Sequence, residues 1–329
     1  MQSLPAELIF YICQLCCTDE GSTFRSLRRL SKFFYELTIP LRYHSVAVDD
    51  IGTAKAILGH LENQGPHLRK FHHLFLCTDA SRELKHKWSA SSVLSTVACL
   101  LAVASPTLRT LTVVAPPQCF GTAVIAQIFR TSFPLLEEMT IVGMYPYPVA
   151  SIPLGLRDIN TTDSKTNFPR LQYLHLNGNP NPSGLLELCP MQTLFPSLTH
   201  LRVSKLSNSE AFLGELEKEL CGMKEEQLDE MLRQSRLPSK LRAIEIQLGP
   251  EGLGLSLPAR RLLNTREQQE DIIARIEKRL RDSTQQPSVA FFVHPRILHK
   301  DEQASYACED ARTHWADRLR GGNGCWMFG

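Results

Sequence analysis

The chain has 329 residues, 43% of them hydrophobic and 21% charged, with a net charge of +2 and a pI near 8.0. That balance excludes a nucleic-acid binder built on clustered excess Lys and Arg. No apolar run reaches the roughly 18 residues of a membrane span, and ten cysteines fall short of disulfide density in so long a chain. What is left is globular composition, enough for one large core or for a small unit followed by a large one.

The N-terminus lacks a basic region and Glu7 interrupts its apolar run, so no secretory signal is expected and the location expected is cytoplasmic or nuclear. The stretch LPAELIFYICQLC, Leu4 to Cys16, predicts a helix, with Ser3 as a candidate cap, Pro5 in the first turn and Glu7 adding acid there. Leu8, Ile9, Ile12 and Leu15 make it apolar almost all round. On such a helix Cys13 and Cys16 share a face with Ile9 and Ile12. With no second C-x-x-C and no His pair at zinc-finger spacing, Cys13, Cys16 and Cys17 read as core thiols. The link CTDEGST ends the helix. In FRSLRRLSKFFYELTIPLRYHS, Leu27, Leu30, Phe34 and Leu37 then fall on one helical stripe. Arg25, Arg28, Arg29 and Lys32 lie mostly off it, and Pro40 stops it. About 40 residues of short helices is small for an independent domain.

From residue 45 the texture changes to short β-type runs with a shared lead-in: Pro, Leu, two residues, apolar, x, apolar. GPHLRKFHHLFL, SPTLRTLTVV, FPLLEEMTIV, FPRLQYLHL, FPSLTHLRV and LPSKLRAIEI all carry it. Their anchors are Leu68, Leu108, Leu136, Leu171, Leu198 and Leu241, which are 40, 28, 35, 27 and 43 residues apart. Helical patterns start at Thr53, Ser92, Ala123, Gly184, Ala211 and Arg266, with a last helix around EDARTHWADRLRGG ended by Gly321. Strands are expected at 45–48 and 289–294 as first and last rungs. Strand–helix alternation requires crossovers, hence a parallel sheet, and an irregular repeat of one strand each is the signature of a solenoid. The fold class expected is therefore α/β, a helical N-terminal unit (1–44) followed by a repeat unit (45–329) with a mostly parallel curved sheet. The anchor leucines should be buried. Residues between the inward positions, such as Gln172, His175, Thr199 and Arg202, should point outward as a recognition array. Trp315 should help the last helix close the far end.

Motifs with chemistry are scarce. His72 and His73 in HLRKFHH are adjacent, so a strand would point them apart. GPEGLGLSLP lacks the following Lys-Ser/Thr of a phosphate cradle. There is no G-x-S-x-G and no H-E-x-x-H. The chain is read as a non-enzyme, with no catalytic, cofactor-binding or metal-binding residue, no nucleic-acid partner and no membrane partner. The long apolar–acidic stripe of 211–234 suits either the solenoid edge or a partner helix.

Residues 4–43 resemble an F-box. Leu4, Pro5, Glu7 and Leu8 match the family's opening Leu-Pro-x-Glu-Leu; Leu27, Leu30, Ser31 and Phe34 match the later segment; Tyr43, His44 and Ser45 match its extended exit. CTDEGST departs from the usual short link. With the FP-x-L rungs behind it, the chain is similar to the F-box-like proteins abundant in mushroom-forming fungi, whose distal domains are leucine-rich-repeat-like. The resemblance implies a substrate receptor of a cullin–RING (SCF-type) ubiquitin ligase. Leu4, Pro5, Leu8, Ile9, Ile12, Leu27 and Leu30 would contact the small adaptor subunit, and the repeat unit would bind an unknown protein substrate. The alternative is a repeat scaffold for protein interactions without ligase coupling. SLRRLSK is either a patch steered toward the acidic adaptor or a solvated helix face.

Overall fold

A computed structural model describes residues 4–78, 89–115, 120–145, 166–189, 191–221, 237–250, 259–282, 289–297 and 308–327. In chain order these hold α1 (Ala6–Cys16), α2 (Ser22–Leu27), α3 (Lys32–Thr38), β1 (Ser45–Val48), α4 (Ile51–Glu62), β2 (His73–Cys77), α5 (Ala90–Ala104), β3 (Thr110–Ala115), α6 (Gly121–Arg130) and β4 (Glu138–Gly143). There follow β5 (Tyr173–Asn177), α7 (Leu185–Leu188), α8 (Met191–Leu194), β6 (His200–Leu206), α9 (Glu210–Cys221), β7 (Ala243–Leu248), α10 (Ala259–Asp282), β8 (Ala290–His294) and α11 (Cys308–Leu319). The protein is α/β, its eight described strands are parallel, and the chain divides into two compact units. One is Met1–Val142 with Tyr306–Gly329, with strands hydrogen-bonded in the order β1-β2-β3-β4. The other is Gly143–Ser305, with the order β5-β6-β7-β8.

The repeated lead-in explains how each strand is entered. In FPLL, FPRL and FPSL the Leu N–H donates to the Phe carbonyl three residues back (Leu136 to Phe133, Leu171 to Phe168, Leu198 to Phe195). Proline in the second position presets the φ this turn needs, and both flanking side chains are buried. The exposed turn carbonyl is then shared by two amides of the next rung. His44 O takes His72 and His73, and His72 O takes Arg109 and Thr110; in the second unit Gln172 O takes Thr199 and His200, and Thr199 O takes Arg242 and Ala243.

Leu108, Leu136, Leu171, Leu198 and Leu241 are buried as the pattern predicts. Leu68 is not: it is half-buried, and Phe71 takes the anchor's place. The register fixes this, because Leu74 pairs with Leu111, which lies three residues after Leu108. By the same count Tyr43 anchors β1, and its ring stacks on Phe71 at 5.4 Å between centroids. The reading failed because it required leucine, and the first two rungs use larger aromatic rings.

Three other expectations need correction. The stripe of Leu27, Leu30, Phe34 and Leu37 does not lie on one helix; α2 ends at Leu27, and α3 starts afresh at Lys32 with Ser31 as its cap, accepting from the Phe34 amide. His175 and Arg202 are neighbours across the strands as expected, but both are buried. Trp315 is buried against β2, its ring 5.7 Å from that of Phe75, so α11 covers a sheet face of the first unit instead of capping the last rung. Ser3 and the continuation of the 211–234 stripe beyond Cys221 lie outside the described residues.

The sheet face bearing Leu74, Leu76, Leu111, Val113 and Ile141 in the first unit, and Leu174, Leu176, Leu201, Val203, Ile244 and Ile246 in the second, is apolar and buried. The opposite face differs between the units. In the first, Phe75, Cys77, Val114 and Val142 pack with Cys308, Ala311 and Trp315 of α11. In the second, the same alternation brings up His175, Arg202 and Glu245 on one row and Asn177, Ser204, Gln247 and His294 on the next.

Candidate docking surface

The three N-terminal helices enclose a core of only four buried side chains, Cys13, Cys17, Phe24 and Leu41, with Ile9, Phe10, Leu27 and Phe34 packed around it. So small a core is too little for an independently stable domain, so this unit depends on neighbours. Burial raises the Cys17 thiol to about 12 and the Cys13 thiol more modestly. Both stay protonated and pack as apolar groups.

α1 carries two apolar stripes. One, with Ile9 and Cys13, faces the small core. The other faces solvent: Leu4 is 56% exposed, Leu8 50%, Tyr11 58%, Ile12 49% and Leu15 60%. In the same unit Leu30, the most exposed at 66%, and Phe33, at 48%, are open as well. Of the residues the family motif singles out, Leu4, Pro5, Leu8, Ile12 and Leu30 are on the outside. Ile9 and Leu27 are half-buried in the mini-core, where their packing holds the helices together. Cys16 and Ile12 are exposed and so do not share the face of Cys13. Tyr11, Leu15 and Phe33 were missed by motif matching, although Leu4, Leu8, Tyr11 and Leu15 already recur at helical spacing.

The unusual link between α1 and α2 is firmly held. The Asp19 carboxylate accepts from the Thr23 amide at 2.9 Å and the Thr23 hydroxyl at 2.7 Å. Glu20 (φ +58°) and Gly21 (φ +80°) are both left-handed, which makes the sharp turn. Arg312 of α11 reaches this turn: its Nε donates to Glu20 Oε1 at 2.8 Å, its Nη2 also meets the Glu20 carboxylate, and its Nη1 donates to Asp49 Oδ2 at 2.7 Å. The Glu20 hydrogen bonds hold the Arg312 guanidinium above its ordinary pKa. CTDEGST is thus a clamp point through which α11 fixes the N-terminal helices to β1.

At the entries to β1 and β2, His44, His72 and His73 cluster, with His44 centred 4.4 Å from His72 and 5.2 Å from His73. Burial, reinforced by neighbouring histidines and Arg109, lowers His44 to about 4 and His73 to about 3; burial with the charges of Arg109 and Lys70 lowers His72 as well. The trio is neutral at physiological pH. Among the described residues no group of three or more His, Cys, Asp or Glu is arranged to hold a metal ion, and no helix is long and apolar enough to cross a membrane.

The polar face of the second unit is a network in which, among the described residues, only some buried groups are paired: Asn177 Oδ1 and Arg202 Nη1 have no hydrogen-bond partner there. Arg202 Nε donates to Ser204 Oγ at 3.1 Å and its Nη2 to Gln247 Oε1 at 3.2 Å. Its Nη1 lies 3.6 Å from Glu245 Oε2, which His294 Nε2 meets at 2.7 Å. His175 Nε2 is 3.0 Å from Ser204 Oγ. Glu245 and His175 are fully buried. The donors and acceptors are turned on one another, which suits holding strands in register better than meeting a partner. No protein-family model, no curated protein and no solved structure matches this chain.

Proposed function

We propose that the chain is the substrate-recognition subunit of a cullin–RING ubiquitin ligase, with an F-box formed by α1–α3 and a leucine-rich-repeat-like solenoid behind it. The observation that carries this reading is the second apolar stripe of α1. Leu4, Leu8, Tyr11, Ile12, Leu15, Leu30 and Phe33 are all exposed on a unit whose sequence opens Leu-Pro-x-Glu-Leu. An exposed apolar surface of this kind marks an interaction site. Completing the burial of each side chain contributes on the order of 1 kcal/mol, so the seven together offset a large part of the entropy cost of association. Aromatic Tyr11 and Phe33 are the residue types that anchor interfaces.

On this reading the adaptor covers the outer stripe, and the Arg312 clamp transmits that position to the repeat unit, whose surface presents a protein substrate. The location that goes with it is cytoplasmic or nuclear, and no cofactor, nucleic acid or membrane takes part. The test is co-purification with the adaptor subunit. The wild type should retain it. Leu8→Asp, which places a charge in a desolvated contact, should lose it while its circular dichroism stays unchanged. Failure of the wild type to retain the adaptor would leave a repeat scaffold without ligase coupling. Loss of binding together with loss of folding would assign Leu8 to the core.

A further inference from the structure

Arg28, Arg29 and Ser31 have no role in the docking just described, yet they flank Leu30, one of its contacts, in the sequence. Ser31 is exposed and, with Lys32, separates the exposed side chains of Leu30 and Phe33. Its backbone is extended (φ −164°, ψ 167°), the conformation in which a kinase active site takes its peptide. Its hydroxyl oxygen accepts from the Phe34 amide at 3.3 Å, which leaves the O–H free to react. Two arginines stand three and two residues ahead of it. A guanidinium pair at that distance is what an acidic kinase cleft reads, by paired charge-assisted hydrogen bonds.

We propose that Ser31 is a phosphorylation site for an arginine-directed serine kinase, and that its phosphate closes the apolar surface to the adaptor. This rests on the reading of that surface as a docking site. In the reaction Ser31 Oγ attacks the γ-phosphorus of a nucleoside triphosphate. The new O–P bond forms as the bond from that phosphorus to the β–γ bridging oxygen breaks, the hydroxyl proton passes to the kinase's base, and the nucleoside diphosphate leaves. Access requires the turn 28–30 to open. Three backbone hydrogen bonds hold it: Arg28 to Phe24, Arg29 to Ser26 and Leu30 to Leu27, each at 3.1 Å. Arg28 must also leave its place over the Tyr35 ring, 5.1 Å from the centroid. A turn with so few bonds, on a four-residue core, belongs to the low-stability end of the molecule.

The phosphate adds about −1.5 to −2 charge at neutral pH. Between Leu30 and Phe33 that charge would have to be desolvated for the surface to pair with an apolar partner. An unmodified serine carries no such charge, so the same surface is open or closed according to one group.

The test treats the full chain with ATP–Mg and the cyclic-AMP-dependent kinase as probe, and locates phosphate by mass spectrometry. Near-stoichiometric phosphate is expected at Ser31. Ser31→Asn, which keeps a capping oxygen for Phe34 but has no hydroxyl, should take none there. Phosphorylation should weaken adaptor binding at least tenfold, and should reduce binding of a hydrophobic dye to the same surface. For Ser31→Asn, kinase treatment should change neither. No phosphate at Ser31, or phosphate with both readouts unmoved, would overturn the proposal. Phosphate uptake and dye binding are read without the adaptor. A wild type that never binds adaptor therefore refutes the docking reading alone, and those two readouts still decide whether Ser31 is a modification site that closes the surface.

Discussion

The two compact units place opposite chemistry on the same kind of sheet face. In the first, the face of β2–β4 turned toward α11 is apolar, and Phe75, Cys77, Val114 and Val142 are covered by Cys308, Ala311 and Trp315. In the second, the corresponding alternate positions of β5–β8 carry His175, Arg202, Ser204, Glu245, Gln247 and His294, bonded to one another. The first face is buried; on the second His175, Arg202, Ser204 and Glu245 are buried while Gln247 and His294 are half-buried. An apolar face is stabilised by whatever removes it from water and tolerates a change of shape. A polar one requires every donor and acceptor to keep its partner, so it is costlier to damage and fixes strand register more strictly.

The largest effect is therefore expected from Arg202→Met. It leaves Glu245 buried beside His294 with its guanidinium partner gone, and should cost about 3–5 kcal/mol in chemical denaturation. Converting the pair together, Arg202→Met with Glu245→Leu, should recover much of that loss. If the single and double variants were equally unstable, the network would not be held by this pairing. Next in size is Trp315→Ala, which opens a cavity over Phe75 and should cost about 3 kcal/mol. Trp315→Phe should cost clearly less, because the indole N–H has no hydrogen-bond partner among the described residues. Smaller is Arg312→Ala. Its guanidinium is one-third exposed, so after screening the loss should be about 1 kcal/mol. Hydrogen exchange of α1–α3 should quicken while that of the second unit stays as it was.

The smallest effect near neutral pH comes from the histidine trio, and its sign is fixed. His44 and His73 are lowered in the folded protein to about 4 and about 3 from an ordinary 6.5. Between those values the unfolded chain binds more protons, so stability rises with pH there. It is complete above about 6.5 and falls as the solution is acidified toward 4. A denaturation midpoint that stayed flat from pH 7 to pH 4.5 would contradict the burial of these rings.

The repeat was legible in the sequence because its signal is physical and local: a proline-preset turn, a buried anchor and alternating apolar residues. The strand positions at 45–48 and near 289–294 and the anchors from Leu108 onward follow from that alone. What was not legible depends on who packs against whom. Tyr43 and Phe71 replace the leucine anchor, which only strand register reveals. The burial of His175 and Arg202 depends on tertiary cover that periodicity does not encode. That α11 returns to β2 and β3, bringing Arg312 to Glu20, is a contact across nearly the whole chain with no local trace. The exposed apolar stripe was half legible: the opening motif marked Leu4, Pro5 and Leu8, while Tyr11, Leu15 and Phe33 needed the exposure of each side chain.

The central claim is that the outer stripe of α1 docks on the adaptor while the sheet units keep their own packing. The most direct measurement is hydrogen–deuterium exchange of the full chain with and without the adaptor subunit. Protection should appear in α1 and around Leu30–Phe33, and amides of β5–β8 should exchange at unchanged rates. Protection confined to the repeat unit, or none at α1 under saturating adaptor, would contradict it.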